Sequence, residues 1–158
     1  MQRITPCLWF DDRIEEAVHF YVSVFKNSKI KQITHYAKNA GLFPERFRGK
    51  VLTITFELDG QEFMALNGGT AFHFTEAISL MVNCEDQQEL DAMWDKLSEG
   101  GEKVQCGWLK DKYGLSWQIV PAILGELMND PAKWAKVHAA VLTMQKLDIV
   151  KLQEAYNS

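Results

Sequence analysis

Cys106–Pro121, CGWLKDKYGLSWQIVP, decides the fold: it reads as a strand, a tight turn at Asp111-Lys112-Tyr113-Gly114, and a returning strand of aromatic and aliphatic residues. Leu52–Asn67, LTITFELDGQEFMALN, has the same form with Asp59-Gly60 at its turn. Each hairpin is preceded by an apolar strand and an amphipathic helical pattern, so one supersecondary unit is written twice. The expected class is α+β: two tandem βαβββ modules followed by C-terminal helices. Module one covers about 1–70, module two about 71–121 and a helical tail 122–158, all within a single domain spanning residues 1–158.

Working outward, Ile4–Phe10 is a short strand with Leu8 and Phe10 on one face and Thr5, Cys7 and Trp9 on the other. Asp11-Asp12 end it and supply an acidic cap for a helix over Ile14–Phe25, whose apolar face is Ile14, Ala17, Val18, Tyr21, Val22 and Phe25. His19 falls on the helix surface. A strand over Lys29–Tyr36 and a loop punctuated by Gly41, Pro44 and Gly49 follow. In Val51–Leu58 an aliphatic face (Leu52, Ile54, Phe56, Leu58) opposes Thr53, Thr55 and Glu57, and the second face must meet solvent or a wet cavity.

The second module opens at Ala77, with Ile78, Leu80 and Val82 facing a helix and Ala77, Ser79 and Met81 facing away. Asp86 or Glu85 starts that helix, Leu90, Met93, Trp94 and Leu97 form its stripe, and Gly100-Gly101 stop it. Helical patterns over Ile123–Met128, Ala132–Met144 and Asp148–Tyr156 complete the tail, in which Trp134, Val137, His138 and Val141 read as a packing stripe.

Composition narrows the function. A hydrophobic share of 47% over 158 residues supports an ordinary core, and a net charge of −4 disfavours nucleic-acid binding. There is no apolar run of the roughly 18 residues a membrane helix needs, and the N-terminus lacks the pattern of a secretion signal. Three scattered cysteines (Cys7, Cys84, Cys106) do not form a disulfide framework, so a cytoplasmic location with reduced thiols is expected. Asn67-Gly68-Gly69-Thr70 would cradle phosphate only if a helix began directly after it, and AFHF follows instead. Gly114–Gln118 lacks the second glycine of a nucleophile elbow. Cys84, Cys106, His73 and His35 lack zinc-site spacing. Asp111 and Lys112 read as turn residues.

The segments FYVSVFKNSKI, FELDGQEFMALNGG, FHFTEAISLMVNCEDQQELDAMWDKLSEGG, CGWLKDKYGLSWQIVP and KLDIVKLQEAY together resemble the PhnB-like family of the vicinal oxygen chelate superfamily. That family is also named 3-demethylubiquinone-9 3-methyltransferase-like. The resemblance implies paired curled sheets around a ligand cavity and a homodimer. Metal-using members of the superfamily carry His, Gln or Glu at four strand positions, which fall here on Thr5, Met64, Ala77 and Gln118. Only Gln118 can donate, so no metal and no cofactor are expected. The same mapping gives the cavity wall: Thr5, Cys7, Trp9, Thr53, Thr55, Met64, Ser79, Met81 and Ser116, with His73 at its mouth and Glu57 and Gln118 as candidate acid/base and orienting groups.

The expected function is binding of a small hydrophobic or aromatic molecule, with or without catalysis. The alternatives are a metal-dependent lyase, isomerase or dioxygenase using His73, Glu57 and Gln118, or a methyltransferase as the family name suggests. A usual adenosylmethionine site needs a glycine-rich loop from a parallel strand into a helix, and the sequence has none.

Overall fold

Ile14, Ala17, Val18 and Tyr21 recur at the spacing that puts them on one helical face, and all four are buried in the computed structural model, which describes residues 2–38 and 44–158. The chain divides into two compact units, Met1–His73 and Phe74–Ser158.

In the first unit, β1 (Cys7–Phe10), α1 (Ile14–Val24), β2 (Lys29–His35), β3 (Val51–Leu58) and β4 (Gln61–Asn67) give a four-stranded sheet of order β1-β4-β3-β2. The crossover through α1 makes β1 parallel to β4, while the two-residue turn Asp59-Gly60 makes β3 and β4 antiparallel. Both turn residues have positive φ, +47° and +78°, which is the primed turn that matches strand twist. Leu8, Phe10, Ile54, Phe56, Phe63 and Ala65 form the sheet's share of the core.

The second unit repeats the order. Its strands β5 (Ser79–Cys84), β6 (Glu102–Lys103), β7 (Trp108–Lys110) and β8 (Ser116–Pro121) lie as β5-β8-β7-β6, with β5 parallel to β8 across the helix α2 (Gln87–Ser98). Asp86 caps α2 by accepting the Glu89 N–H at 2.8 Å. Leu90, Trp94 and Leu97 pack with the helix-facing residues Leu109, Trp117 and Ile119, all buried. The tail adds α3 (Leu124–Leu127), α4 (Pro131–Leu142) and α5 (Ile149–Asn157). Asp130 before Pro131 and Asp148 before Ile149 cap the last two with their carboxylates.

Several local expectations need correction. β1 begins at Cys7, and Ile4 stands 85% exposed. Asp11 does not cap α1: the N-cap is Arg13, and Asp11 Oδ1 accepts the Arg13 N–H at 3.0 Å in a local turn. β5 begins at Ser79, so Ala77 precedes the strand and Ile78, expected against the helix, is exposed. Val22, Phe25 and Met93 are half-buried rather than core. Gly41 lies outside the described residues.

The turn at Asp111 does more than reverse the chain. Gly114 N–H closes it onto the Asp111 carbonyl at 2.9 Å. The buried Asp111 side chain accepts from Tyr113 N–H at 2.8 Å and Leu115 N–H at 3.1 Å through Oδ1, and from the Trp117 indole N–H at 2.8 Å through Oδ2. The same carboxylate therefore shapes the turn and fixes the largest fully buried ring in the core of the second unit.

Candidate functional site

Strand alternation sorts the expected site residues into one set per unit. In the first unit the register aligns Cys7, Met64, Thr55 and Gln32 in one row across the sheet, and Trp9, Leu66, Thr53 and Thr34 in the next. This is the face away from the buried aliphatic side, and its residues are half-buried or exposed. Trp9 lies flat over Gly68, where a Cβ would collide with the indole, and its N–H donates to the Gly69 carbonyl at 2.8 Å. The Asn67–Thr70 turn is thus the seat of an indole ring. Thr34 and Thr53 share a 2.6 Å hydroxyl bond.

Glu57 belongs to the edge of that face. Its Oε1 lies 3.0 Å from Lys31 Nζ and its Oε2 3.3 Å from Lys29 Nζ, while Lys31 also reaches Glu62 Oε2 at 2.7 Å. The Lys31 hydrogen bond, assisted by Lys29, holds the Glu57 carboxyl below its ordinary range, so it is an ionised carboxylate at neutral pH. Thr5 donates weakly to Glu62 Oε1 at 3.4 Å, just before β1. His73 is exposed at the end of the unit.

In the second unit the corresponding sheet face carries a cleft of about 340 Å³. Its floor is the row Met81, Gln118 and Trp108, three residues that the β5–β8–β7 register sets side by side, together with Asn83 and Val120 one row on. Its outer wall comes from the tail: Leu124 and Gly125 of α3, Met128, Val141 of α4, and Leu147. Gln118 Nε2 donates to Ser79 Oγ at 2.9 Å, which fixes the amide, and among the described residues its Oε1 accepts no hydrogen bond. Ser116, opposite Ser79 in the register, is buried with an unpartnered hydroxyl and does not line the cleft.

Of the expected wall residues, Met81 and Gln118 therefore meet at this cleft, with Ser79 behind Gln118. Trp108, Cys106, Val120 and the tail residues went unread in the sequence. Trp108 could have been found, because alternation in the hairpin puts it on the Gln118 face. The tail residues carried no signal beyond ordinary helix amphipathicity.

A sequence profile described as 3-demethylubiquinone-9 3-methyltransferase matches residues 2–120. The chain belongs to that family. The PhnB protein of Bacillus cereus is 39% identical over 77% of this chain and 100% of its own, with a TM-score of 0.68. A Pseudomonas aeruginosa protein shares the fold at 17% identity and TM-score 0.63, over 77% of this chain and 98% of its own. The fosfomycin resistance protein FosX of Listeria monocytogenes does so at 13% and 0.55, over 82% and 98%. No curated protein matches. The resemblance to PhnB-like members of the vicinal oxygen chelate superfamily thus holds, and with it the α+β class.

The metal positions of that superfamily do not fit a divalent ion in this family member. Of the four positions the resemblance assigns to metal ligands, Thr5, Met64 and Ala77 carry no strong N/O donor and only Gln118 can donate, and among the described residues no three His, Cys, Asp or Glu side chains converge. None of the three turns that lead from a parallel strand into a helix contains glycine: they are Asp11-Asp12-Arg13, Glu85-Asp86 and Ala122-Ile123. No helix among the described residues is long and apolar enough to cross a membrane.

Proposed function

We propose that this family member binds a small hydrophobic or aromatic molecule in the cleft of the second unit, without a metal ion. The observation that carries the reading is a 340 Å³ recess with an indole and a thioether on its floor and one pre-positioned amide, Gln118. A volume near the lower end of drug-sized sites, apolar walls and a single fixed polar group are what orient a compact organic ligand. Gln118 serves as the orienting group, offering Oε1 as acceptor while Ser79 holds the amide plane. Glu57 is supported less well as a general acid, because its two ammonium neighbours favour the charged form. Thr5, Cys7, Trp9, Thr53, Thr55 and Met64 remain the proposed lining on that face.

The reading extends to a homodimer in the cytoplasm. It draws on the family resemblance and on three free cysteines, which suit a reducing compartment.

The test is titration with the neutral dye N-phenyl-1-naphthylamine, followed by fluorescence. Saturation at one dye per chain, lost in Met81→Trp with circular dichroism unchanged, is the expected result. Met81 lines the cleft yet is 57% exposed, so the larger ring fills the recess without disturbing the core. Unsaturable binding, or binding indifferent to Met81→Trp, would remove the cleft as the ligand site.

A further inference from the structure

We infer that the C-terminal tail makes the cleft selective for uncharged ligands, with Leu124 and Met128 as the residues that set this selectivity. The inference rests on the reading above and adds the ligand's charge class and the segment that decides it.

Three observations converge. First, none of the described residues lining the cleft is Asp, Glu, Lys, Arg or His; its polar groups are the neutral Asn83 and Gln118, with the Cys106 thiol and the Trp108 indole. A ligand charge brought into this recess would lose hydration with no opposite charge to meet it, so ions are rejected and neutral molecules retained. Second, the outer wall lies wholly in the tail, beyond residues 2–120 that match the family profile. Residues 2–120 alone leave the Gln118 row without Leu124, Met128, Val141 and Leu147, so the apolar outer wall of this half-open cleft is added by a segment the profile does not include.

Third, the tail is tied down by hydrogen bonds, an ion pair and the buried Val141 and Leu147, none of which involves the Leu124 or Met128 side chain. Cys106 N–H and Gly107 N–H donate to the Met144 and Gln145 carbonyls, both at 2.7 Å. Gln87 clamps the following residues, its Nε2 donating to Leu147 O at 3.1 Å and its Oε1 accepting Ile149 N–H at 2.9 Å. Lys146 pairs with Asp91 at 2.8 Å. Gly107 is required at this strap: its φ is +80° and a Cβ would lie 2.8 Å from Ile119 O and 3.2 Å from Leu147 Cδ1. Ala122 N–H anchors the start of the tail on Cys84 O at 2.8 Å. Met128, 49% exposed at the rim, and the half-buried Leu124 therefore shape the opening without holding the tail in place.

A matched dye pair tests this. N-phenyl-1-naphthylamine is neutral, and 8-anilino-1-naphthalenesulfonate is the same ring system with one sulfonate. The unmodified chain should bind the neutral dye at least about tenfold more tightly, the scale set by leaving one charge unpaired in a partly solvated recess. Met128→Lys and Leu124→Lys should shrink the ratio at least about fivefold by strengthening sulfonate binding. Leu142→Lys, on α4 but outside the cleft and 57% exposed, should leave the ratio unchanged.

Equal affinity for both dyes in the unmodified chain, or a ratio unmoved in both rim variants, overturns the inference while leaving the cleft as a site. Failure of the neutral dye to saturate at one per chain overturns the underlying reading itself. Circular dichroism of each variant, matched to the unmodified chain, ensures that the ratio is read on folded protein.

Discussion

Asp111→Asn replaces one oxygen by an NH₂ group of nearly the same size, and the structure dictates where that nitrogen must go. Oδ1 serves two backbone donors, Tyr113 and Leu115, while Oδ2 serves the Trp117 indole. Turning the amide so that nitrogen faces the two backbone N–H groups sacrifices two bonds; turning it toward Trp117 sacrifices one. The second orientation wins and sets an NH₂ against a buried indole N–H, with Asp111 only 3% and Trp117 2% exposed. One charge-assisted bond is lost and two donor groups, the indole N–H and the new NH₂, face each other, for a cost of about 2–4 kcal/mol.

Trp117→Phe removes the indole donor and shrinks a buried ring, also costing roughly 2–4 kcal/mol. In the double variant the NH₂ group faces a hydrocarbon edge and the donor–donor conflict is gone. The double cost should therefore fall short of the sum by about 1–2 kcal/mol. Urea denaturation followed by far-ultraviolet circular dichroism gives all four stabilities. An Asp111→Asn cost under about 0.5 kcal/mol, or costs that add within about 0.3 kcal/mol, would refute the view that this carboxylate anchors the ring.

Three further outcomes are expected. Gly68→Ala should cost about 2–3 kcal/mol in denaturant titration by expelling Trp9 from its seat, whereas Gly114→Ala, with φ +89° and nothing within 4 Å of the added Cβ, should show only the backbone strain of about 1–2 kcal/mol. The Cys84 thiol is pushed up to about 12 by burial, with Glu89 and Asp86 adding to it, so under native conditions at pH 8 a thiol reagent should label exposed Cys7 and spare Cys84. The folded thiol keeps a proton that the unfolded chain releases above its ordinary value of 9.0, so this contribution to stability is whole below that pH and is lost as pH rises toward 12; Cys84→Ala should flatten the alkaline decline in a pH series of urea midpoints. Gln87→Ala strands the Leu147 carbonyl and the Ile149 N–H, costing about 1–3 kcal/mol and speeding hydrogen exchange at Ile149 above that in α2.

The fold was legible because its signals are local. The period-2 alternation of Val51–Leu58 and of Ser116–Pro121, the 3.6-residue spacing of Ile14 to Tyr21 and of Leu90 to Leu97, and the Asp-Gly turn each follow from how a side chain projects from its own backbone. The repeat of strand, helix and hairpin then fixed the class, and five matching segments fixed the family. Strand starts were misread at Ile4 and Ile78, where apolar residues imitate strand continuation although no partner strand meets them.

The candidate site was legible only in part. Alternation assigned Met81 to the face away from the helix, and the family resemblance gave Gln118 a cavity position; that Gln118 shares a row with Met81 and Trp108 follows only once register is known. Register depends on which strand pairs with which, and β5 meets β8 only after a helix and a hairpin intervene. The outer wall was invisible, because Leu124, Met128, Val141 and Leu147 look like any helical apolar stripe until the chain returns and the strap of 144–149 is tied to Cys106, Gly107 and Gln87. The sequence by itself determined the elements, their repeat and the apolar or polar character of the strand faces, since these are set by neighbouring residues. Only the tertiary structure decided that Glu57 is held by two lysines, that Asp111 anchors a core indole, and that the tail walls an uncharged cleft, because each depends on how side chains meet and not on the residue pattern of a single element.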